Sequence, residues 1–379
     1  MDERKNRDQQ GLSRRRFLAS AAGLAGAAAA GGLAGLTGRA VEAAPASPAP
    51  LPKRTLGRTG LKVTAFSLGA IGAEVPVFQA GLARGINFIH CAMGYGTLDK
   101  VAQTIAGRRN KLYLGLKYER PGRQDWDYLN RCLNDLKVDG VDILFFPLNS
   151  PDEARNREHL DFFKAVQRQK KARFIGITSH GNMAPTMQAA VEAGFWDVLM
   201  PSYPPGRGER AALAPVLDQA EKKKLGVVAM KTMGGINGSN LGQMQTVLKE
   251  VLADSSVSTL VKGTLNLEQL QALLAAVGQK PTRAESEALE QHLAGCLGRC
   301  TICGKCPVCP NGVNVFEVVK AFDYYYATQG CLDYARKAYA QIPPTERGGA
   351  CQGCGACTGR CPYGVNVAAH VQASELVLG

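Results

Sequence analysis

The sequence contains no G-x-G-x-x-G following a strand-like run, which argues against a doubly wound dinucleotide-binding sheet. It also lacks a basic helix interleaved with aromatics, and it carries no nucleic-acid motif. Acidic residues are scarce beside basic ones: 32 Asp and Glu stand against 45 Lys and Arg, for a formal charge of +13. Residues 1–43 hold seven of those basic and four of those acidic residues, so the rest of the chain carries +10. A diffuse excess of this kind does not point to a polyanion, and no nucleic-acid partner is expected.

What is present is a regular alternation over the middle of a 379-residue chain, 45% of it apolar. Strand-like runs fall near Ala65–Leu68, Asn87–His90, Leu112–Leu116, Val141–Phe145, Arg173–Ile177, Val198–Met200, Val227–Met230 and Thr259–Val261. Helical apolar spacing marks Asp125–Leu136, Asp161–Gln169, Pro185–Ala193 and Leu213–Lys224 between them. Eight such units predict an α/β fold, a parallel (β/α)8 TIM barrel, although alternation alone also fits an open sheet.

The N-terminus reads differently. Ser13-Arg14-Arg15-Arg16-Phe17-Leu18 precedes an Ala/Gly-rich, weakly apolar stretch, and Val41-Glu42-Ala43-Ala44 offers a cleavage site. This resembles a twin-arginine (Tat) export signal over residues 1–43. The implied partner is the Tat translocase during export, and the implied location is the periplasm, with membrane anchoring if the segment is uncleaved. Residues 44–53 read as a Pro-rich linker.

Ten of the twelve cysteines lie in the last 84 residues. Cys300, Cys303, Cys306 and Cys309 are spaced by two residues each, with Pro310 next. Cys351, Cys354, Cys357 and Cys361 close with a three-residue gap before Pro362. The second run matches bacterial ferredoxin spacing for 4Fe–4S ligation, and the first is one residue shorter. Three thiolates from a tight loop suit three corners of one cluster, while the cysteine before proline usually reaches the other cluster. The pairing expected is Cys300, Cys303, Cys306 and Cys361 for one cluster, and Cys351, Cys354, Cys357 and Cys309 for the second. An internal repeat agrees: Cys309-Pro-Asn-Gly-Val-Asn-Val recurs 52 residues on as Cys361-Pro-Tyr-Gly-Val-Asn-Val. Zinc and disulfides compete for such cysteines, but structural zinc sites usually pair two C-x-x-C units across a longer gap. Cys296 and Cys331 are left over, and Cys91 and Cys132 read as small core residues. Phe316–Ala340 reads as helical, with Tyr324, Tyr325 and Tyr326 as core. The domain is expected over 280–379, opened by a capping box at Thr282 and Glu285.

Specific residues between 54 and 277 resemble the aldo/keto reductase family. They include Arg54-Thr-Leu-Gly-Arg-Thr-Gly-Leu-Lys-Val63, Gly85-Ile-Asn-Phe-Ile89 followed by Tyr95-Gly96, Val138-Asp-Gly-Val-Asp142 and Gly263-Thr-Leu-Asn-Leu-Glu-Gln-Leu270. With the cysteine runs, the chain resembles that family's ferredoxin-bearing branch. The resemblance implies a barrel over 54–279 with its site at the C-terminal ends of the strands. It also implies a catalytic Asp, Tyr, Lys and His, of which Tyr95 and Lys117 match. His90 stands at the Asp position, Pro147 at the His position, with Asn149 two residues on. Loss of the Asp removes an anion that should hold Lys117 charged, while a nearby ammonium should lower the phenol's pKa. NADP(H) is the family's hydride donor. Here Lys262-Gly-Thr-Leu-Asn and Leu273 replace its usual contacts, and a periplasm holds no free NADPH pool, so it is left unassigned.

The expected catalytic set is therefore Tyr95 as proton donor, Lys117 as its tuner and His90 as a second proton carrier. Substrate contacts are expected from Asn149, His180, Tyr203 and Lys231, with Ser179 and Lys262 also at the mouth. Lys117, Lys231 and Lys262 would place three lysines on one face, suited to an anionic or polar small molecule, or simply a charged loop region. His159 reads as solvated. The function expected is reduction of a carbonyl or other polar group with electrons relayed through the clusters from a donor or acceptor protein. The alternative is a non-catalytic electron-transfer docking protein with a degenerate barrel.

Overall fold

The computed structural model describes residues 49–379 apart from 73, 121–123, 206 and 296–297. The expected export signal, residues 44–48 of the linker and Cys296 lie outside the described residues.

A short hairpin comes first, β1 (Lys53–Thr55) paired antiparallel with β2 (Lys62–Thr64). Eight parallel strands follow and close into a barrel. They are β3 (Phe66–Gly69), β4 (Phe88–Ala92), β5 (Tyr113–Lys117), β6 (Val141–Pro147), β7 (Ala172–Ser179), β8 (Val198–Pro201), β9 (Gly226–Ala229) and β10 (Thr259–Lys262). Each expected strand is present within two residues of its sequence-predicted bounds, and closure of β10 onto β3 excludes the open sheet.

The two-residue period of a strand sorts the core. On β6, Ile143 and Phe145 point into the barrel, while Leu144 and Phe146 point toward the surrounding helices. The interior is filled by Phe88, Ile143, Phe145, Val198, Met200, Val228 and Val261. Gly176 makes room there, since a Cβ would meet the Phe145 ring at 2.4 Å. The hairpin plugs the bottom with Leu56, Leu61 and Val63, each buried and each worth about 2 kcal/mol. Nothing in the sequence marks this plug, because three-residue strands leave almost no alternation to detect.

His159 corrects an expectation. It is 4% exposed and packs on Phe146 and Trp196, with ring centroids 5.3 and 6.1 Å away. It shares a stripe with Phe162, Phe163 and Val166 on the helix Glu158–Arg168, at the i, i+3, i+4, i+7 spacing that faces a core. Burial lowers its pKa, so the imidazole is neutral rather than solvated and charged.

After the barrel, Thr282 and Glu285 form the expected capping box of the helix Arg283–Gly295. That helix still belongs to the barrel: Leu289 joins the barrel core and Glu285 pairs with Lys249 at 2.7 Å. A second core begins at Cys300. It gathers Ile302, Val318, Tyr324, Tyr325, Tyr339, Val367 and Val371. Its helices are Val315–Val319, Leu332–Ala340 and Val367–Leu378, with a nine-residue π-helix, Lys320–Thr328, between the first two. Such widened turns are rare and recur at functional sites. Here the π-helix buries Asp323, Tyr324 and Tyr325 in succession. Cys91 and Cys132 are fully buried, as expected of core residues.

Candidate functional site

The C-terminal ends of the barrel strands are roofed by the second core. A cavity of about 60 Å³ remains between them. Its floor holds His90, Tyr95, Lys231 and Lys262, and its roof holds Tyr324, Tyr325, Gln329 and Cys331. Gln329 pins the roof by donating from Nε2 to the carbonyls of Ile236, at 3.0 Å, and Met233, at 3.4 Å. Tyr95 and Cys331 also line a wider outer pocket of about 340 Å³ with Lys100 and Lys337, so the two spaces adjoin.

Tyr95 follows β4, and Lys117 ends β5. The ammonium sits over the phenol ring, 4.8 Å from its centroid. Lys117 keeps its charge because Glu119, two residues on, lies 2.9 Å from its Nζ. Glu119 is itself held by the Gly94 N–H at 2.8 Å and the Tyr128 hydroxyl at 3.0 Å. Burial opposes the Lys117 charge, but Glu119 outweighs it and the pKa rises. The anion that the sequence reading counted as lost is thus supplied from a different position. The phenol does not follow the expected direction: burial, then Glu119, push Tyr95 upward, because Lys117 meets the ring face while a carboxylate stands near. Tyr95 therefore stays protonated.

His90 lies beside Tyr95, ring centroids 6.0 Å apart, and on the edge of Phe145 at 5.4 Å. It is 3% exposed and its Nε2 has no protein partner. Burial, then Lys117 and Lys231, lower its pKa to about 3. A neutral imidazole with an orphaned nitrogen in a cavity wall is a group that awaits a polar ligand. It holds a second proton poorly.

Lys231 follows β9 with φ +54°, a left-handed backbone costly for a lysine. Its Nζ donates to the Tyr325 hydroxyl at 2.7 Å and lies 4.3 Å from that ring's centroid. Burial and the charges of Lys320 and Lys117 bring its pKa well below 10.5. Lys262 donates to the Gly263 carbonyl, and burial lowers its pKa to about 8. Neither lysine has a carboxylate partner among the described residues, whereas Lys117 and Lys320 each have one, Glu119 and Glu317.

The other expected contacts spread out. His180 stands among the same charges; burial, then Lys320 and Lys231, keep it neutral. Asn149 does not line the cavity. Its Oδ1 accepts from the His180 N–H at 2.9 Å, the Gly181 N–H at 3.2 Å and Ser179 Oγ at 3.2 Å, which shapes the loop after β7. Tyr203 is also absent from the cavity wall and donates to Asp254 at 2.7 Å.

Cys300, Cys303, Cys306 and Cys361 line one pocket, with Ile302, Phe316, Val319, Val365 and Val367 around them. Cys309, Cys351 and Cys354 gather about Cys357 and, after burial, help raise its thiol pKa. The structure thus brings together both expected quartets. Among the described residues no three His, Cys, Asp or Glu side chains converge on one point, as a lone metal ion requires. A cubane cluster instead takes its thiolates at separate corners, and four thiols around an apolar pocket fit that group. Cys300 is buried, while Cys354 is exposed. The first loop rests on the barrel mouth: Gly304, at φ +75°, approaches so near that a Cβ would stand 2.6 Å from the Gly181 Cα.

The cavity beneath Tyr324 and Tyr325 does not by itself hold a nicotinamide dinucleotide. Ligand pockets run to roughly 300–1,000 Å³, and the space left beneath Tyr324 and Tyr325 is about 60 Å³.

No family model matches the chain, and no curated protein is similar to it. Among solved structures it is similar to an aldo-keto reductase from Bacillus halodurans in its holo form, with 19% identity over 65% of this chain and 96% of that one, at a TM-score of 0.51. A thermostable aldo-keto reductase in complex with the inhibitor epalrestat is similar at 20% identity over 63% of this chain and 99% of its own, with a TM-score of 0.52. At these identities the likeness establishes the (β/α)8 barrel fold.

Proposed function

We propose that the chain is an exported iron–sulfur oxidoreductase on an aldo/keto reductase-type barrel, reducing a small carbonyl or other polar compound at the barrel mouth. One observation carries this reading. Asp323 accepts the Cys300 N–H at 3.0 Å, and the next two residues, Tyr324 and Tyr325, roof the mouth cavity. A single π-helix turn thus supports a cysteine loop and the candidate substrate space.

Cys300, Cys303, Cys306 and Cys361 would hold the 4Fe–4S cluster nearer the barrel, and Cys351, Cys354, Cys357 and Cys309 the outer one. Such clusters supply single electrons. The exposed Cys354 loop is the natural face for a redox partner. At the mouth, Tyr95 holds a proton, Lys117 stays charged beside it, and His90 Nε2 accepts a hydrogen bond from substrate or water. Export rests on the Ser13–Leu18 motif, and a folded-protein pathway accounts for clusters built before transport.

Anaerobic reconstitution with iron and sulfide, followed by metal analysis and EPR of the reduced protein, tests the reading. Two four-iron centres per chain are expected. A chain that takes zinc alone, or no iron, overturns it.

A further inference from the structure

The cavity wall holds two lysines, Lys231 and Lys262, that the reductive reading does not use. Lys231 is placed by a strained backbone, φ +54°, with its amine in the cavity wall. Among the described residues its amine donates to the Tyr325 hydroxyl, at 2.7 Å, and no carboxylate pairs with it. Lys262 lines the same wall, and one of its three ammonium hydrogens goes to the Gly263 carbonyl. His90 Nε2, 3% exposed and unpartnered, belongs to the same wall.

We infer that Lys231 is a nucleophile that captures a small 2-oxo carboxylate as an imine, with Lys262 holding the carboxylate and Tyr325 passing protons. The size fits: about 60 Å³ accommodates a handful of heavy atoms. The two lysines differ as the roles require. Burial, reinforced by Lys320 and Lys117, favours the neutral amine at Lys231, while Lys262, at about 8, keeps its charge near neutral pH.

The step balances without an oxidant or reductant. The Nζ lone pair forms a bond to the carbonyl carbon as the C=O π pair moves to oxygen. The two amine hydrogens then leave with that oxygen as water, transferred across Tyr325 Oη, and a C=N bond remains. Tyr95 is free to act as the acid for a later reduction. This inference rests on the mouth cavity being the substrate site, as proposed above, but not on electron supply.

The experiment is reductive trapping of the full-length holoprotein with glyoxylate and cyanoborohydride under anaerobic conditions, followed by peptide mass spectrometry. The expected result is a saturable carboxymethyl adduct on Lys231 and none on exposed lysines at low glyoxylate. K231R abolishes it. K262M weakens glyoxylate capture about tenfold more than it weakens capture of neutral propionaldehyde, the difference expected for one charge-assisted contact. Wild-type protein alone decides the matter should either variant misfold. No adduct at Lys231, or labelling spread evenly over surface lysines, overturns the proposal. The trapping requires no reduced cluster, so its failure leaves the electron-relay reading standing, and holoprotein that traps glyoxylate while its clusters stay reduced separates the two in the other direction.

Discussion

Lys231 of the barrel and Tyr325 of the C-terminal core meet at 2.7 Å across the cavity, and this bond ties the roof to the mouth. The same tyrosine stacks edge-on with Tyr334, centroids 4.6 Å apart, and Tyr334 does so with Tyr95 at 5.7 Å. The aromatic row therefore connects the roof to the candidate proton donor. Tyr325→Phe keeps the ring contacts and removes only the hydroxyl. A buried donor left without its partner costs about 1–3 kcal/mol. Urea denaturation of the holoprotein should show that loss, and a change within error would mean that the bond is not maintained in solution.

The cross-ligated pairing is open to a selective test. Cys361→Ser should remove the centre nearer the barrel, as Cys306→Ser does, and leave roughly half of the iron. Cys354→Ser should leave the other half. EPR of the two sets of variants would then report different residual centres. Were Cys361→Ser to match Cys354→Ser instead, each run would ligate its own cluster.

Lys262 sets a pH dependence. Its pKa of about 8 lies below the ordinary value of 10.5. Between these two pH values the unfolded chain binds more protons than the folded one, so this group makes stability rise with pH. Its cost is fully present below about pH 8 and is gone above 10.5. Wild type should therefore gain on K262M between those limits in urea denaturation, and a difference flat with pH would contradict the assignment. A bound anion holds the proton on Lys262, so anion affinity should fall over the same range.

Glu119→Gln removes the anion beside Lys117. The pair is largely buried, with side chains 13% and 23% exposed, so the loss should cost roughly 3 kcal/mol, the low end for a broken buried pair. It should also reduce turnover at Tyr95 more than a surface Glu153→Gln control does. Equal turnover in the two variants would show that Lys117 needs no counter-ion.

Much of this was legible in the sequence. The eight barrel strands announced themselves through short β-rich runs, because a strand buried on both faces is apolar throughout. The cysteine quartets followed from spacing and from the repeated Cys-Pro-x-Gly-Val-Asn-Val. Other features lay beyond a linear reading. Glu119, two residues past Lys117, is its counter-ion, and only side-chain geometry shows that it reaches the ammonium. Tyr324 and Tyr325 read as core from their composition, and they are buried, but a π-helix also aims them at a cavity shared with Lys231, 94 residues back along the chain. His159 was within reach, since its stripe with Phe162, Phe163 and Val166 has helical spacing, yet its polar neighbours masked it.

The most direct test of the account follows electrons rather than structure. The reconstituted protein is reduced anaerobically, excess reductant is removed, and visible absorbance is followed while a small 2-oxo acid or aldehyde is added. The account predicts that the carbonyl compound reoxidises the clusters, that the reduced organic product appears in proportion, and that Tyr95→Phe slows both by roughly 10²-fold or more. Clusters that stay reduced across a panel of such compounds, or that reoxidise equally fast in Tyr95→Phe, would contradict it.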